Sequence, residues 1–593
     1  MIVLMKIVII QGLLLRCDDK RTRITIMNNE ITRWLQRDSD PKSRQELQQL
    51  VADNATTELA DRFNGRLAFG TAGLRGIVGA GPNRMNRLVI QETATGLGQY
   101  LLRTDSNAAH KGVVVGYDGR PDSRQFAHDT AAVLAGQGIK VYLTIKVAAT
   151  PIVAFGVKHL HTAAAVVVTA SHNPPAYNGF KVYWNNGAQI IPPHDAGIAA
   201  EIDKATQSDL HLMDLAEAEA KGLLVWLDDA YYQDYRQAIN ATSLLNNHHN
   251  PQAISLAYTA MHGVGAEMAE TLLADAGFTH VYSVAAQREP DGAFPTVKFP
   301  NPEEPGAMDL VIAEAKQHGA ILACANDPDA DRFAVAARCA DGGFQMLTGD
   351  QVGTLFGYYL LNHVQASAHL VGNTIVSSTL LGKIATALGA QYYQTLTGFK
   401  WLTNVAMDHQ TDDHQFLFAY EEALGYTIGN TVWDKDGLSA LVAFAQLTAE
   451  LTTKGQTVWD QLEAIYREYG LYLNAQRSIA LDPTAAPIGD SLRAMPPQAI
   501  AGLAIDSTED FKTSLRTFAD GSVEAIDLPI SDVLIYHLED GARVVVRPSG
   551  TEPKLKCYYE VVEPMSQEET FEHAQLRAQE TMDRLIAQHQ VSL

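Results

Sequence analysis

Cysteine is scarce: Cys17, Cys324, Cys339 and Cys557 are the four in 593 residues. They form no CxxC pair and no metal-ligand spacing, which excludes a disulfide framework and points to reduced thiols in a reducing compartment. Basic residues are also in short supply, 45 Lys and Arg against 68 Asp and Glu, for a formal net charge of −23. Nucleic acid and an acidic membrane surface both demand a basic footprint, so neither is expected as a partner. A small anionic ligand stays possible if cations are gathered locally. The apolar stretch Met1–Leu15, broken by Lys6 and Gln11, falls short of the roughly 20 residues of a membrane span. No basic region precedes it, and Arg16 before Cys17 spoils a lipoprotein signal. Residues 1–26 are therefore expected to be an upstream extension of doubtful function, or an extra strand or tail. The protein is expected to be cytoplasmic, a monomer or weak homodimer, with a small molecule rather than a macromolecule as its partner.

Beyond these shortages the composition is ordinary, with 46% apolar and 19% charged residues. The length suggests about three to five domains at roughly 100–200 residues each. From GVVVGYDG onward, short apolar runs alternate with helical periods. The rhythm runs once to VVVTA, returns from AISLAYTA to FAVAAR, and returns again from HLVGNTIVSS to QFLFAYEEALG. Such alternation predicts parallel, helix-covered sheets, and three blocks of it suggest a diverged internal repeat. The last block, ARVVVRPSGTEPKLKCYYEVV followed by a long helix, reads as a smaller α+β domain. Open α/β sheets bind ligands beyond the carboxyl ends of their strands. The unusual sequences here follow VVVTA, ILACA, FLFAY and VVV, so one such loop per domain is expected to face a shared cleft.

In the loop Asp327-Pro328-Asp329-Ala330-Asp331-Arg332, three carboxylates at every second residue can converge on a hard cation. An EF-hand is excluded, because Arg332 stands where its glycine must be and Arg338 where its glutamate should be. Three aspartates leave room for further oxygen ligands, which suits Mg²⁺ shared with a phosphate; the bland alternative is a solvated acidic turn. In TASHNPPAYNGFK, a buried strand delivers Ser171 to a loop stiffened by two prolines. A serine hydroxyl needs activation, and His172 is adjacent, yet the Gly-x-Ser-x-Gly elbow of hydrolases is missing. Lys181, ten residues on, could return to the serine; a simple turn is the alternative. Arg547 in RPSGTEPK suits a bidentate grip on phosphate, with Ser549, Thr551 and the amides around Gly550 as a small anion nest, unless this is only a charged hairpin. Glu421 and Glu422 end an apolar strand and could accept protons from vicinal sugar hydroxyls, or simply start a helix.

Taken in this order, the four loops resemble those of the α-D-phosphohexomutase superfamily, the phosphoglucomutase/phosphomannomutase group, over roughly Thr71 to Glu560. The resemblance implies an α/β protein of four domains around a central cleft: three related mixed-sheet α/β domains and a smaller C-terminal α+β domain. With the periodicity it sets expected domains at 27–230, 231–342, 343–475 and 476–593. It makes Ser171 the carrier of the phosphoryl group. Mg²⁺ is then held by Asp327, Asp329 and Asp331 with the Ser171 phosphate. Arg75 and Lys181 match basic residues near the transferred phosphate, His172 is expected to be catalytic with them, and Arg332 is expected to bind substrate. Thr397, Gly398 and Lys400 resemble the loop that orients the sugar. Glu421, with Glu422, matches the hydroxyl-binding glutamate, and Lys435 also looks equivalent to a family residue. Arg547, Ser549, Gly550 and Thr551 would hold the phosphate that is not reacting. The implied reaction interconverts glucose 1-phosphate and glucose 6-phosphate through a bound glucose 1,6-bisphosphate. One departure concerns the sugar. Ala423 stands where hexose enzymes commonly have serine, and EEALGY is closer to the branch with phosphopentomutases and glucose-1,6-bisphosphate synthases. Phosphopentomutase and phosphomannomutase are therefore the alternatives within the class. A catalytically silent sugar-phosphate-binding protein is the alternative outside it.

Overall fold

The computed structural model describes residues 20–68, 73–242, 250–480, 488–548, 554–566 and 568–592, with side chains from residue 29 to 590. The chain forms two compact units. One comprises residues up to 232 with 262–264 and 290–304; the other comprises 233–261, 265–289 and 305–593. Helix Lys20–Arg37 crosses residue 26 without a break, and helix Asp229–Asn240 crosses residue 230.

The first unit holds strands β1 (Leu74–Ile77), β2 (Val113–Tyr117), β3 (Val141–Thr144), β4 (Ala164–Val168), β5 (Tyr177–Trp184) and β6 (Leu224–Leu227), ordered β1-β5-β4-β2-β3-β6. Strands β2 and β4 are buried at every residue. That is why VVVGY and AAVVV are apolar throughout: helices cover both faces of a parallel strand, so no polar alternation survives.

The second unit holds three sheets. Strands β7 (Leu256–Thr259), β8 (Val281–Ser283), β9 (Leu322–Asn326), β10 (Phe333–Arg338) and β11 (Phe344–Met346) are ordered β11-β10-β9-β7-β8. Strands β12 (His369–Thr374), β13 (Gln391–Thr395), β14 (Gln415–Glu421) and β15 (Gly425–Ile428) are ordered β13-β12-β14-β15. The third sheet is antiparallel throughout. It contains β16 (Leu471–Ala480), β17 (Ala499–Ile500), β18 (Leu503–Asp510), β19 (Leu515–Phe518), β20 (Val523–Ala525), β21 (Leu534–Leu538), β22 (Arg543–Pro548) and β23 (Lys554–Glu563).

The expected repeat is visible in the strand pairing. In each of the first three sheets the repeat's first strand (β2, β7 or β12) lies between its second and third, parallel to both. The fourth (β5, β10 or β15) lies antiparallel beyond the third. The turn from third to fourth strand therefore occupies one topological position three times. It carries Ser171 in the first sheet, the three aspartates in the second and Glu422 in the third, with Glu421 closing β14.

Within the second unit, the antiparallel sheet is fastened to the turn after β12. Ile375, Val376 and Leu396 share an apolar cluster with Phe511, Val533, Ile535, Val545 and Tyr558. Beside it lies a buried ion pair, Arg543 Nε to Glu560 Oε1 at 3.0 Å. Arg543 also donates to the carbonyls of Ile375 (2.7 Å) and Ser377, while Glu560 accepts from Thr379 N (2.9 Å) and Oγ1 (2.6 Å). Burial alone would push the Glu560 carboxyl up, but Arg543 and the hydrogen bonds outweigh it and hold it below the usual range. Replacing Arg543 with methionine would strand a buried carboxylate and two carbonyls. A loss of about 3–5 kcal/mol is expected in denaturant titration, and a change under about 1 kcal/mol would show the pair to be inert.

Candidate active site

In the first unit the expected catalytic residues gather around the turn after β4. The Ser171 amide donates to Thr169 Oγ1 (2.8 Å), and Ser171 adopts φ +50°, a left-handed conformation that costs a non-glycine residue free energy and marks a constrained site. Its Oγ lies 3.2 Å from His172 Nδ1. Gly179 on β5 passes so close that a Cβ there would lie 2.5 Å from the Thr169 carbonyl. Arg75, paired with Gly179 across β1 and β5, donates from Nη1 to Asn173 Oδ1 (2.7 Å). Lys181 is buried on β5 opposite Val167 of β4. Arg75 and His172 thus meet the serine turn directly, and Lys181 sits on the strand that leaves it.

Sequence reasoning missed Arg120. It lies in the loop after β2, and its guanidinium donates to four carbonyls of the serine turn: Ser171 (2.7 Å), Asn173 (2.6 Å), Pro174 (2.8 Å) and Tyr177 (2.9 Å). Asp118 stands 3.3 Å from its Nε, and burial pushes the Asp118 carboxyl up despite this arginine. An Asp-Gly-Arg-Pro turn directly after an all-apolar strand was the available signal, but it does not say which loop the arginine would reach.

In the second unit the aspartates come together. Asp327, Asp329 and Asp331 are buried, and their carboxylate oxygens lie within 4.8 Å of one another. The turn is shaped by Ala330 at φ +53° and by two hydrogen bonds, Ala330 N to Asp327 O (2.8 Å) and Arg332 N to Asp327 Oδ1 (3.0 Å). Asn326 clasps it shut, donating to the carbonyls of Arg332 (2.7 Å) and Gly437 (3.1 Å) while accepting from the Tyr258 hydroxyl (2.8 Å). Three buried carboxylates this close, offering only oxygen, fit a hard divalent cation; without one they repel each other. Lys435 Nζ, 3.4 Å from Asp331 and 3.6 Å from Asp434, offsets part of that charge.

The residues expected to contact the sugar join the same assembly. Arg332 bridges Gly425, and Phe333 N donates to Leu424 O (3.1 Å), so the glutamate turn is seated on the aspartate hairpin. A Cβ on Gly425 would lie 2.4 Å from Lys435 Cδ. Glu421 Oε1 accepts from Gly398 N (2.8 Å), where φ +114° demands glycine, and this joins the turn to the loop of Thr397, Gly398 and Lys400. Arg547 hydrogen-bonds the Tyr558 hydroxyl, which burial and the nearby Glu422 and Glu421 push well above the usual range. Ser549, Gly550 and Thr551 lie outside the described residues.

Glu422 turns away from Glu421 and accepts from Ser377 Oγ (2.9 Å) and Thr374 Oγ1 (3.3 Å). Removal from water, then the charges of Glu421 and Asp350, raise its pKa from 4.5 to about 8. Burial likewise raises Asp350 to about 6. A carboxyl that holds its proton more tightly folded than unfolded stabilises most at low pH. Stability should therefore fall as pH rises from the unfolded values through about 8, and Glu422→Gln should flatten the fall between pH 6 and 8. A variant with the wild-type slope in that window would refute the assignment.

Four family models match in succession. They are phosphoglucomutase/phosphomannomutase alpha/beta/alpha domain I over residues 66–209, domain II over 230–342, domain III over 348–469, and the C-terminal domain over 497–576. The mouse phosphopentomutase is 35% identical over 561 residues, covering 91% of this chain and 90% of its own. The phosphoglucomutase of Staphylococcus haemolyticus is 36% identical over 518 residues, covering 85% of this chain and 92% of its own. The open form of parafusin, a phosphoglucomutase from Paramecium, shares the fold at a TM-score of 0.64 and 19% identity, over 87% of this chain and 94% of that one. These likenesses define a four-domain α/β enzyme of the phosphomutase class, an isomerase that moves a phosphoryl group within its substrate. The chain belongs to the phosphoglucomutase/phosphomannomutase family. Among the described residues, no helix is long and apolar enough to cross a membrane.

Proposed function

We propose that the chain interconverts α-D-glucose 1-phosphate and glucose 6-phosphate, with Ser171 carrying the phosphoryl group. The reading requires the serine turn and the aspartate turn to face one cleft. In the first half-reaction the bond from Ser171 Oγ to phosphorus breaks as the free sugar hydroxyl bonds to phosphorus, and that hydroxyl's proton passes, by way of a general acid/base for which Lys181 is our candidate, to the departing Ser171 Oγ. The bisphosphate turns end for end, and the second half-reaction returns the other phosphoryl group to Ser171 Oγ. Arg75 neutralises charge on the moving group. Glu421 accepts sugar hydroxyls in both orientations, and Arg547 with Ser549, Gly550 and Thr551 holds the idle phosphate. A Mg²⁺ ion held by Asp327, Asp329 and Asp331 would polarise a phosphoryl oxygen as a Lewis acid.

The observation that supports this best is the direct seating of the glutamate turn on the aspartate hairpin, with Lys435 against both. It puts groups suited to sugar hydroxyls beside groups suited to a cation. A pentose reading is favoured by Ala423 and by the likeness to the mouse phosphopentomutase. The deciding experiment is a panel of glucose, mannose, glucosamine, ribose and deoxyribose 1-phosphates with Mg²⁺ and a trace of bisphosphate. Fastest turnover on glucose 1-phosphate is expected. Faster turnover on a pentose phosphate would install the second reading. No turnover on any sugar, with no label on Ser171, would favour a binding protein.

A further inference from the structure

The segment 290–304 falls, in sequence, between strands of the second sheet, yet it packs within the first unit. Its path is tightly constrained. Phe294 has φ +49°, and His262, to which the segment is tied, has φ +60°. Asp291 N donates to His262 O (2.9 Å), and His262 Nε2 meets Thr296 Oγ1 at 2.8 Å. Gly292 lies against the loop after β2, where a Cβ would come within 2.6 Å of Pro121 and 2.7 Å of the Arg120 Cα. A Cβ on Gly119 would likewise lie 2.9 Å from Pro290 Cβ. Two left-handed non-glycine residues in one small loop system persist only when the surroundings over-determine them, and such strain gathers at functional sites.

What this packing delivers is the ring of Phe294. It is buried, and the Arg120 guanidinium lies over it at 5.1 Å from the centroid. The same guanidinium gathers the four carbonyls of the serine turn. In-plane hydrogen bonds fix where a guanidinium points but leave its faces open, and an aromatic face closes one of them. We infer that Phe294 is a positioning residue for the reaction: it sets the Arg120 fork, which sets the turn that presents Ser171. This rests on the reading of Ser171 as the phosphoryl carrier, and it adds a part of the molecule that no motif in the serine loop reveals.

The test compares Phe294→Leu, which keeps an apolar side chain without a π face, with Phe294→Tyr, which keeps the face. In the full-length enzyme, Phe294→Leu is expected to lower kcat on the order of 10- to 100-fold, the range of a sub-ångström to ångström misplacement. KM for the sugar 1-phosphate should stay within about twofold, because ground-state binding is untouched. Phe294→Tyr is expected to recover most of kcat. Arg120→Lys, which keeps charge but loses the fork, should reproduce the kcat loss, covering the case in which Phe294→Leu folds poorly. A leucine variant at full kcat would overturn the inference, as would a tyrosine variant equally impaired with a parallel drop in Tm. Wild-type Ser171 that takes no label from bisphosphate would sink the carrier reading and this inference together. Label in the wild type with an unaltered leucine variant would sink this inference alone.

Discussion

Alanine at position 171 is expected to abolish phosphoryl labelling of the chain and to lower turnover on the order of 10⁴-fold or more, the scale of losing a covalent nucleophile. The fold should survive. Ser171 is buried, but the Thr169 and Arg120 hydrogen bonds reach its main chain rather than its hydroxyl, and alanine keeps the same Cβ. The left-handed backbone costs alanine somewhat more than serine, so a loss of only about 1 kcal/mol in stability is expected. Mass spectrometry of enzyme incubated with bisphosphate reads the labelling, and coupled assays read the turnover. Residual turnover within tenfold of wild type would mean that the phosphoryl group moves without this serine.

Asparagine at position 329 should move activity and stability in opposite directions. Turnover is expected to fall about 10³-fold, because a cation worth several kcal/mol of charge stabilisation loses a ligand. The metal-free protein should at the same time melt higher, by about 1 kcal/mol or more of added stability. Three buried carboxylates within 4.8 Å repel one another, and Lys435 at 3.4 Å from Asp331 cancels only part of that repulsion. Added Mg²⁺ should raise the Tm of the wild type through binding linkage and leave the variant nearly unmoved. A metal-free variant that melts lower than wild type would count against a preformed, strained cation site.

Much of this architecture could be read along the chain. AAVVV, LACAN and FLFAY announce buried strands because helix-covered parallel strands tolerate no polar alternation. The residues that break each run therefore mark a strand end, and they are the serine, the aspartates and the glutamates. Strands β18 to β20 of the C-terminal sheet are hard to read from sequence for the opposite reason. LAIDSTED and LRTF are mostly half-buried or exposed and VEA is exposed, and partly exposed antiparallel strands carry little apolar signal. Arg120 and Phe294 were illegible on other grounds. A guanidinium's partners and the face a ring offers depend on which loops fold together, and nothing local encodes that. The two adjacent glutamates make the same point. Glu421 takes a backbone amide and Glu422 a pair of hydroxyls, a split that follows from what surrounds each one.

Sequence alone determined the family, the thrice-used α/β unit and the chemical type of each loop, since hydrophobic period and side-chain chemistry are properties of short segments. Tertiary structure alone decided that the glutamate turn rides on the aspartate hairpin, that burial raises the Glu422 carboxyl to about 8, and that a loop some 170 residues distant lies behind the serine turn's arginine. Those outcomes depend on burial and on distances between segments far apart in the chain, and such quantities exist only once the chain has packed.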